Sequence, residues 1–238
     1  MFQLTANTIY SKLCNPLSIV IMILKRDIPP KIQNQLEYLL LDGKPIEKKI
    51  EKLKKIILDN KINLNKKTKE QQTVLMYSFN LGEDFINFLI MNGADVNMND
   101  DDGYQALHYY LRNKAPYEEI KMLLDHGASI HGKTIWGETP IMFAAAHHDI
   151  RCFITIKEKG AILDCQDKFS MTPLLYFYMF NENHNMLKSL IENGLIIDFA
   201  SLEDWKEVYK NSLKTEGQIR KIDSICKETS PINQESSI

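Results

Sequence analysis

The 238-residue sequence lacks most of the features that announce chemistry. It has four cysteines, Cys14, Cys152, Cys165 and Cys226, and none forms a C-x-x-C pair. No Cys/His spacing matches a zinc site. Thiols scattered this thinly point to a reducing compartment rather than a disulfide framework. Net charge is small at −2, so no global field draws the chain to nucleic acid or an anionic membrane. Long apolar runs are missing as well. The longest, Pro16 to Leu24, falls far below the roughly 18 residues that a membrane helix needs. Lys25-Arg26-Asp27 follow it where a signal peptide would carry its small-residue cleavage site. The expectation is a cytoplasmic chain with no membrane span.

Catalytic signatures are equally scarce. There is no phosphate-binding glycine loop, no G-x-S-x-G and no H-E-x-x-H. His147-His148-Asp149 is the most tempting group. Adjacent side chains on a helix point about 100° apart, so the pair lacks the i, i+4 geometry of a metal clamp. Both histidines are expected at the surface or in a turn. Asp100-Asp101-Asp102-Gly103 lacks the alternating ligands and distal Glu of a calcium loop, and turn chemistry accounts for it. No catalytic residue, metal ligand, cofactor or small-molecule substrate is expected.

What the chain does contain is helical periodicity. Hydrophobic content of 44% and charged content of 25% are ordinary for a globular protein. Asn15-Pro16 reads as a helix start, and Ile28-Pro29-Pro30 as its stop. A second helix is predicted over 31–42, ending at Gly43, and a third over 46–59. The third sets Ile46, Ile50, Leu53, Ile56 and Ile57 at helical spacing, with its lysines on the other face. From Asn65 a longer period takes over. Gly93, Gly127, Gly160 and Gly194 follow apolar helices at spacings of 34, 33 and 34. Helix starts at Thr73, Gln105, Thr139 and Thr172 are 32, 34 and 33 apart. Two independent markers in one register indicate a repeat architecture. The last two units open with a Thr cap and Pro at the first helical position, all four end on a Gly, and each must stack on its neighbours to bury its apolar stripe.

These motifs resemble the ankyrin repeat. Thr139-Pro140, Thr172-Pro173, Gly93-Ala94-Asp95-Val96-Asn97, Gly127-Ala128 and Gly160-Ala161 carry the resemblance, over about Asn65 to Asp198. Gln105-Ala106 replaces Thr-Pro, and His108 alone retains the motif histidine. The first unit looks one residue short in its second helix. The resemblance implies an all-α solenoid of stacked helix-turn-helix units with short hairpin-like turns, divergent N-terminal helices and a C-terminal capping helix. The expected organisation is a divergent helical repeat or cap over 1–64, and four repeats at about 65–97, 98–131, 132–164 and 165–198. Cap helices follow over 199–227 and a disordered polar tail over 228–238. Ser201 to Leu213, with Leu202, Trp205, Val208 and Tyr209, supplies the capping helix.

The family implies binding of another protein through the concave face and the turn tips. Aligned onto those positions are Asp101, Asp102, Tyr104, Arg112, Ile135, Trp136, Glu138, Lys168, Phe169 and Met171. Tyr104, Ile135, Trp136, Phe169 and Met171 are expected to be exposed, and contiguous exposed apolar groups mark interaction sites. The alternative is that Trp136 and Phe169 merely pack on each other. A bias toward Lys, Ile and Asn suggests an AT-rich genome. On that reading the chain is a host-directed effector of an intracellular bacterium or virus, acting on a host protein in the host cytosol. Two other functions remain open. One is an enzyme or adaptor with activity in the divergent N- or C-terminal helices. The other is a nucleic-acid binder using the Lys-rich helix 46–59, disfavoured by net charge and by the lack of interleaved aromatics.

Overall fold

The computed structural model describes residues 16–24, 33, 45–147, 149–180 and 184–195. Met1–Gly194 forms one compact unit and Leu195–Ile238 another, of which Leu195 alone is described. The expected cap at 199–227, the tail at 228–238 and most of the helix at 31–42 lie outside the described residues. His148 does too.

Among the described residues there are nine α-helices and no strand. They are α1 (Pro16–Leu24), α2 (Ile46–Asp59), α3 (Glu83–Met91), α4 (Ala106–Arg112) and α5 (Tyr117–Asp125). Then come α6 (Pro140–Ala146), α7 (Ile150–Glu158), α8 (Pro173–Phe180) and α9 (His184–Glu192). A 3-10 turn, Leu75–Tyr77, precedes α3. The helices pack in two layers. The 3-10 turn, α4, α6 and α8 contact one another in sequence, and α2, α3, α5, α7 and α9 do the same. The α1 helix packs on the 3-10 turn. The short first helices are nearly all apolar because they are covered on most sides: every residue of α6 is buried. The second helices are amphipathic, with Ile120, Leu123 and Leu124 of α5 inward and Glu118, Lys121 and Asp125 exposed. Tyr110, Phe85, Phe153 and Phe177 are the largest fully buried side chains. Each such ring contributes on the order of 2–3 kcal/mol of burial free energy.

Local chemistry explains the helix ends. Pro140 and Pro173 open α6 and α8, where a missing N–H costs nothing. In the first three units the amide before the first helix is met by the side chain three residues on. His108 Nδ1 accepts from Gln105 N at 3.1 Å, and the thioethers of Met76 and Met142 accept from Thr73 N and Thr139 N at 3.3 and 3.4 Å. Methionine thus fills the histidine's place as a weaker acceptor. At the other end Ala94, Ala128 and Ala161 donate back to Leu89, Leu123 and Ile156 across the terminating glycine, the bond that closes a left-handed helix stop.

The first repeat differs from expectation. Its second helix, α3, has the same nine residues as α5, α7 and α9. The shortening falls in its first helix, which is reduced to one 3-10 turn. Ser78 Oγ bonds the carbonyl of Val74 at 2.9 Å, and Asn80 reverses the chain at φ 61°. Glu119 of α5 holds that reversal: its carboxylate accepts from Asn80 N at 2.7 Å and Gly82 N at 2.9 Å. In α2, Ile50, Leu53 and Ile57 are buried while Lys48, Lys52 and Lys55 are exposed. Lys54 is paired with Glu51 at 2.8 Å. That is the pattern of a solvated face with acids interleaved. Among the described residues no helix is long and apolar enough to cross a membrane.

Candidate functional site

The turns that lead into α4, α6 and α8 share one construction. Asp100 Oδ1 accepts from the amides of Asp102 and Tyr104 at 3.0 and 2.8 Å. Asp167 Oδ1 does the same for Phe169 and Met171 at 2.8 and 2.9 Å. Between them Thr134 Oγ1 accepts from Trp136 and Glu138, both at 3.2 Å. Short oxygen-bearing side chains make these turns by substituting for backbone acceptors. Gln71, Gly103, Gly137 and Ser170 occupy the left-handed position of successive turns, at φ 59°, 82°, 86° and 58°. A Cβ on Gly103 would sit 3.0 Å from the Lys133 carbonyl of the next turn. With glycine there, Ile135 N reaches the Asp102 carbonyl at 2.8 Å, and Lys168 N reaches Trp136 O at 2.7 Å. These bonds tie the turn tips of the last three repeats into a ribbon. Gln71 does carry a Cβ, and no corresponding backbone bond joins the first two turns among the described residues.

Behind the ribbon lies a row of aromatic rings. Tyr77 and Tyr109 have centroids 5.4 Å apart, Tyr104 and Phe143 6.3 Å, and Phe143 and Tyr176 5.5 Å. Their hydroxyls bond the turn carboxylates. Tyr109 donates to Asp100 Oδ2 at 2.7 Å, while the single proton of the Tyr176 hydroxyl is shared between Glu138 Oε1 at 2.8 Å and Asp167 Oδ2 at 3.1 Å. In the intervening repeat, Thr134 and Phe143 stand where the others have Asp and Tyr, so donor and acceptor vanish together. Glu138 accepts from Tyr104 at 2.6 Å, Tyr176 at 2.8 Å and Thr134 at 3.0 Å. Burial first, then the Glu138 carboxylate, pushes the Tyr104 and Tyr176 phenols well above their ordinary range. Burial also raises the Asp100 carboxyl, opposed by the Tyr109 hydroxyl. The hydroxyls therefore stay protonated and act as donors.

The expected binding residues divide by position. Asp101, Arg112, Ile135, Lys168 and Phe169 are exposed; Asp102, Trp136 and Glu138 are half-buried. Tyr104 and Met171 are buried, at 8% and 3% exposure, contrary to expectation. They precede the helix caps, and their amides are bound by Asp100 and Asp167, which turns them toward the helix layer. Gln72, at the same register, is buried too. Trp136 meets Tyr104, with ring centroids 6.0 Å apart, and no ring contact joins it to Phe169 among the described residues. Arg112 lies over Tyr104 at 5.6 Å. The structure thus joins Tyr104, Trp136, Glu138 and Arg112 directly, with Asp102, Ile135 and Lys168 tied in through the ribbon. Asp101, Phe169 and Met171 attach only as neighbours along the turns. The residues missed were Thr134 and Tyr176, both bound to Glu138. Tyr176 stands in the same register as Tyr109, which was the available signal. Phe180 extends the apolar surface, 54% exposed beside Tyr176 at 6.0 Å.

His147, expected at the surface, is buried. Its Nδ1 accepts from Asp149 N at 3.0 Å, which leaves Nε2–H to donate to the Ala115 carbonyl of the preceding repeat at 3.2 Å. His108 is also buried, and burial pushes its pKa down to about 4. His108 is therefore neutral, and His147 is a joint between repeats. Among the described residues no cluster of three His, Cys, Asp or Glu is placed to hold a metal ion.

Comparison with known proteins gives the same architecture. Residues 46–134 and 80–164 match the family model for ankyrin repeats (3 copies). The chain is also 25% identical, over 169 residues, to an ankyrin repeat protein of Acanthamoeba polyphaga mimivirus. That match covers 67% of this chain and 21% of the viral protein, so the chain spans about a fifth of its relative's length.

Proposed function

The chain belongs to the ankyrin-repeat family, whose members generally mediate protein–protein interaction, and on that premise we propose that it binds a partner protein without catalysing a reaction. The proposed contact surface is the concave face and turn tips of the stack, centred on Trp136 and flanked by Asp101, Asp102, Arg112, Ile135, Glu138, Lys168 and Phe169. The observation that carries this reading is apolar side chains left over on the turn ribbon. Ile135 and Phe169 are 48% and 57% exposed, with Trp136 half-buried next to Ile135. The helices already supply the apolar groups of the core, so these residues are surplus to folding. Exposed apolar groups gathered on one rim support binding, and Trp is prominent among interface hot spots. Tyr104 and Met171 act in this reading as the buried support beneath the surface.

The Lys-, Ile- and Asn-rich composition and the similarity to a mimivirus protein support a partner among the proteins of an infected host cell, met in its cytosol. Affinity capture from such a host lysate, comparing the native chain with Trp136→Ala, tests both levels. A buried interfacial Trp cut to Ala costs about 2 kcal/mol, roughly a thirtyfold loss of affinity. A specific partner lost on Trp136→Ala, with the helical circular dichroism spectrum intact, is expected. Unfolding of the variant would make Trp136 a core residue and sink the proposal. So would a partner that ignores Trp136→Ala and Phe169→Ala but is lost on replacing Lys52, Lys54 and Lys55.

A further inference from the structure

Resting on that proposed surface, we infer that its preferred ligand feature is an arginine side chain, presented on an extended partner segment with apolar residues on either side. Three observations converge at one place. The first is a fixed, uncompensated charge. Glu138 takes hydroxyls from Tyr104, Thr134 and Tyr176, which hold its carboxylate in one orientation. Among the described residues no Lys, Arg or His lies within ion-pair reach of it. A half-buried carboxylate held only by neutral donors is left to be neutralised from outside.

The second is ring geometry. Trp136 leans against the buried Tyr104 at an interplanar angle of 56°, so the half-buried indole lies beside the carboxylate that Tyr104 bonds. Aromatic faces attract cations, Trp most strongly. The third is a cation already in the neighbourhood. Arg112, exposed and with no carboxylate partner among the described residues, settles over Tyr104 at 5.6 Å. The chain itself shows that a guanidinium finds this ring without ion pairing. An incoming arginine has Trp136 to stack on and Glu138 to bond. Its planar fork does both, whereas the lysine ammonium is a hydrated point charge suited to neither geometry. Exposed Ile135 and Phe169 on the adjoining turns receive the flanking apolar side chains.

The test uses the full chain with Trp205→Phe, which leaves Trp136 as the sole tryptophan of two. Three capped pentapeptides are titrated against its fluorescence: Gly-Leu-Arg-Leu-Gly, the same peptide with citrulline, and the same with glutamate. The arginine peptide should shift Trp136 emission saturably, at about tenfold lower concentration than the neutral citrulline isostere, since only the former brings charge to the ring and carboxylate. Glu138→Gln, folded by circular dichroism, should erase that preference. Equal response to arginine and citrulline, or a preference for glutamate, overturns the inference while leaving Trp136 at a binding surface. Silence toward all three peptides overturns it too. If partner capture then still depends on Trp136, the broader reading survives alone.

Discussion

The Tyr104 hydroxyl lies 2.6 Å from Oε2 of Glu138, and the two residues hold the same position in consecutive repeats. One register position therefore donates in one repeat and accepts in the next. This coupling joins the second and third repeats through side chains, alongside the backbone bond from Ile135 to Asp102.

Tyr104→Phe keeps the ring against Trp136 and Phe143 and removes only the hydroxyl. A hydrogen bond to a charged acceptor is worth about 1.5–3 kcal/mol. Urea unfolding followed by circular dichroism should show a loss of that order with the native spectrum unchanged. Unaltered stability would mean that solvent replaces the hydroxyl freely.

Glu119 links α5 to the reversal at Asn80 and Gly82. Burial raises its pKa, opposed by those two amides. The sign follows from linkage. A carboxyl whose folded pKa lies above its unfolded value binds more protons when folded, so its contribution grows as pH falls through the folded pKa. It is lost again as pH rises. Glu119→Gln removes this titration and presents an amide group to one of the two N–H donors. The variant should be less stable by about 1–3 kcal/mol at neutral pH. Its deficit should widen as pH is lowered into the range just above the ordinary carboxylate value. A deficit that narrows on acidification would contradict the raised pKa.

Asn65 and Asn97 each bridge to the glycine turn that closes the helix pair following it. Asn65 donates to Gly93 O at 2.7 Å and accepts from Asp95 N at 2.8 Å. Asn97 donates to Gly127 O at 3.0 Å and accepts from Ser129 N at 2.8 Å. The third rung is His131, exposed, with no ring hydrogen bond among the described residues. His131→Asn should restore the bridge, to Gly160 O and Ile162 N, and stabilise the chain by about 0.5–1.5 kcal/mol. A lower urea midpoint in the variant would show that the turn after α7 sits out of register for it.

Cys152 is fully buried, and burial pushes its thiol up to about 12. Thiolate is the reactive form. Labelling of Cys152 by a thiol reagent should therefore follow unfolding of the stack, read by mass spectrometry across a urea series. Rapid labelling in the native state would place an opening near α7 that the packing does not contain.

Sequence alone revealed the repeat because its markers are local. Thr-Pro starts and glycine stops act within one helix, and their spacing needs no knowledge of neighbours. What it misread depends on atoms one repeat away. Tyr104 and Met171 look like turn-tip residues until the turn aspartates fix their amides and turn them inward. His147 looks like a surface residue until the carbonyl of Ala115, 32 residues earlier, is found at its Nε2. The loss in the first repeat was detectable as a shortened spacing. Its location was hidden, because the brace that permits a one-turn first helix is Glu119, a residue of the following repeat.

The turn ribbon has a direction of weakness. Ile135 and Lys168 carry amide protons locked across repeat boundaries, so their exchange with deuterium reports the parting of whole repeats rather than the fraying of one turn. At the boundary between the first and second turns, the tips are joined instead by the Lys67 ammonium on the Asn99 carbonyl at 2.8 Å, a tether that water can replace at little cost. Along the row of turn tips that seam is the weakest, and the first and second repeats are held there by bonds set back from the tips, the Glu119 brace and the Asn97 bridge. Beyond it, backbone bonds on both sides of the Trp136 turn zip the tips of the second to fourth repeats together.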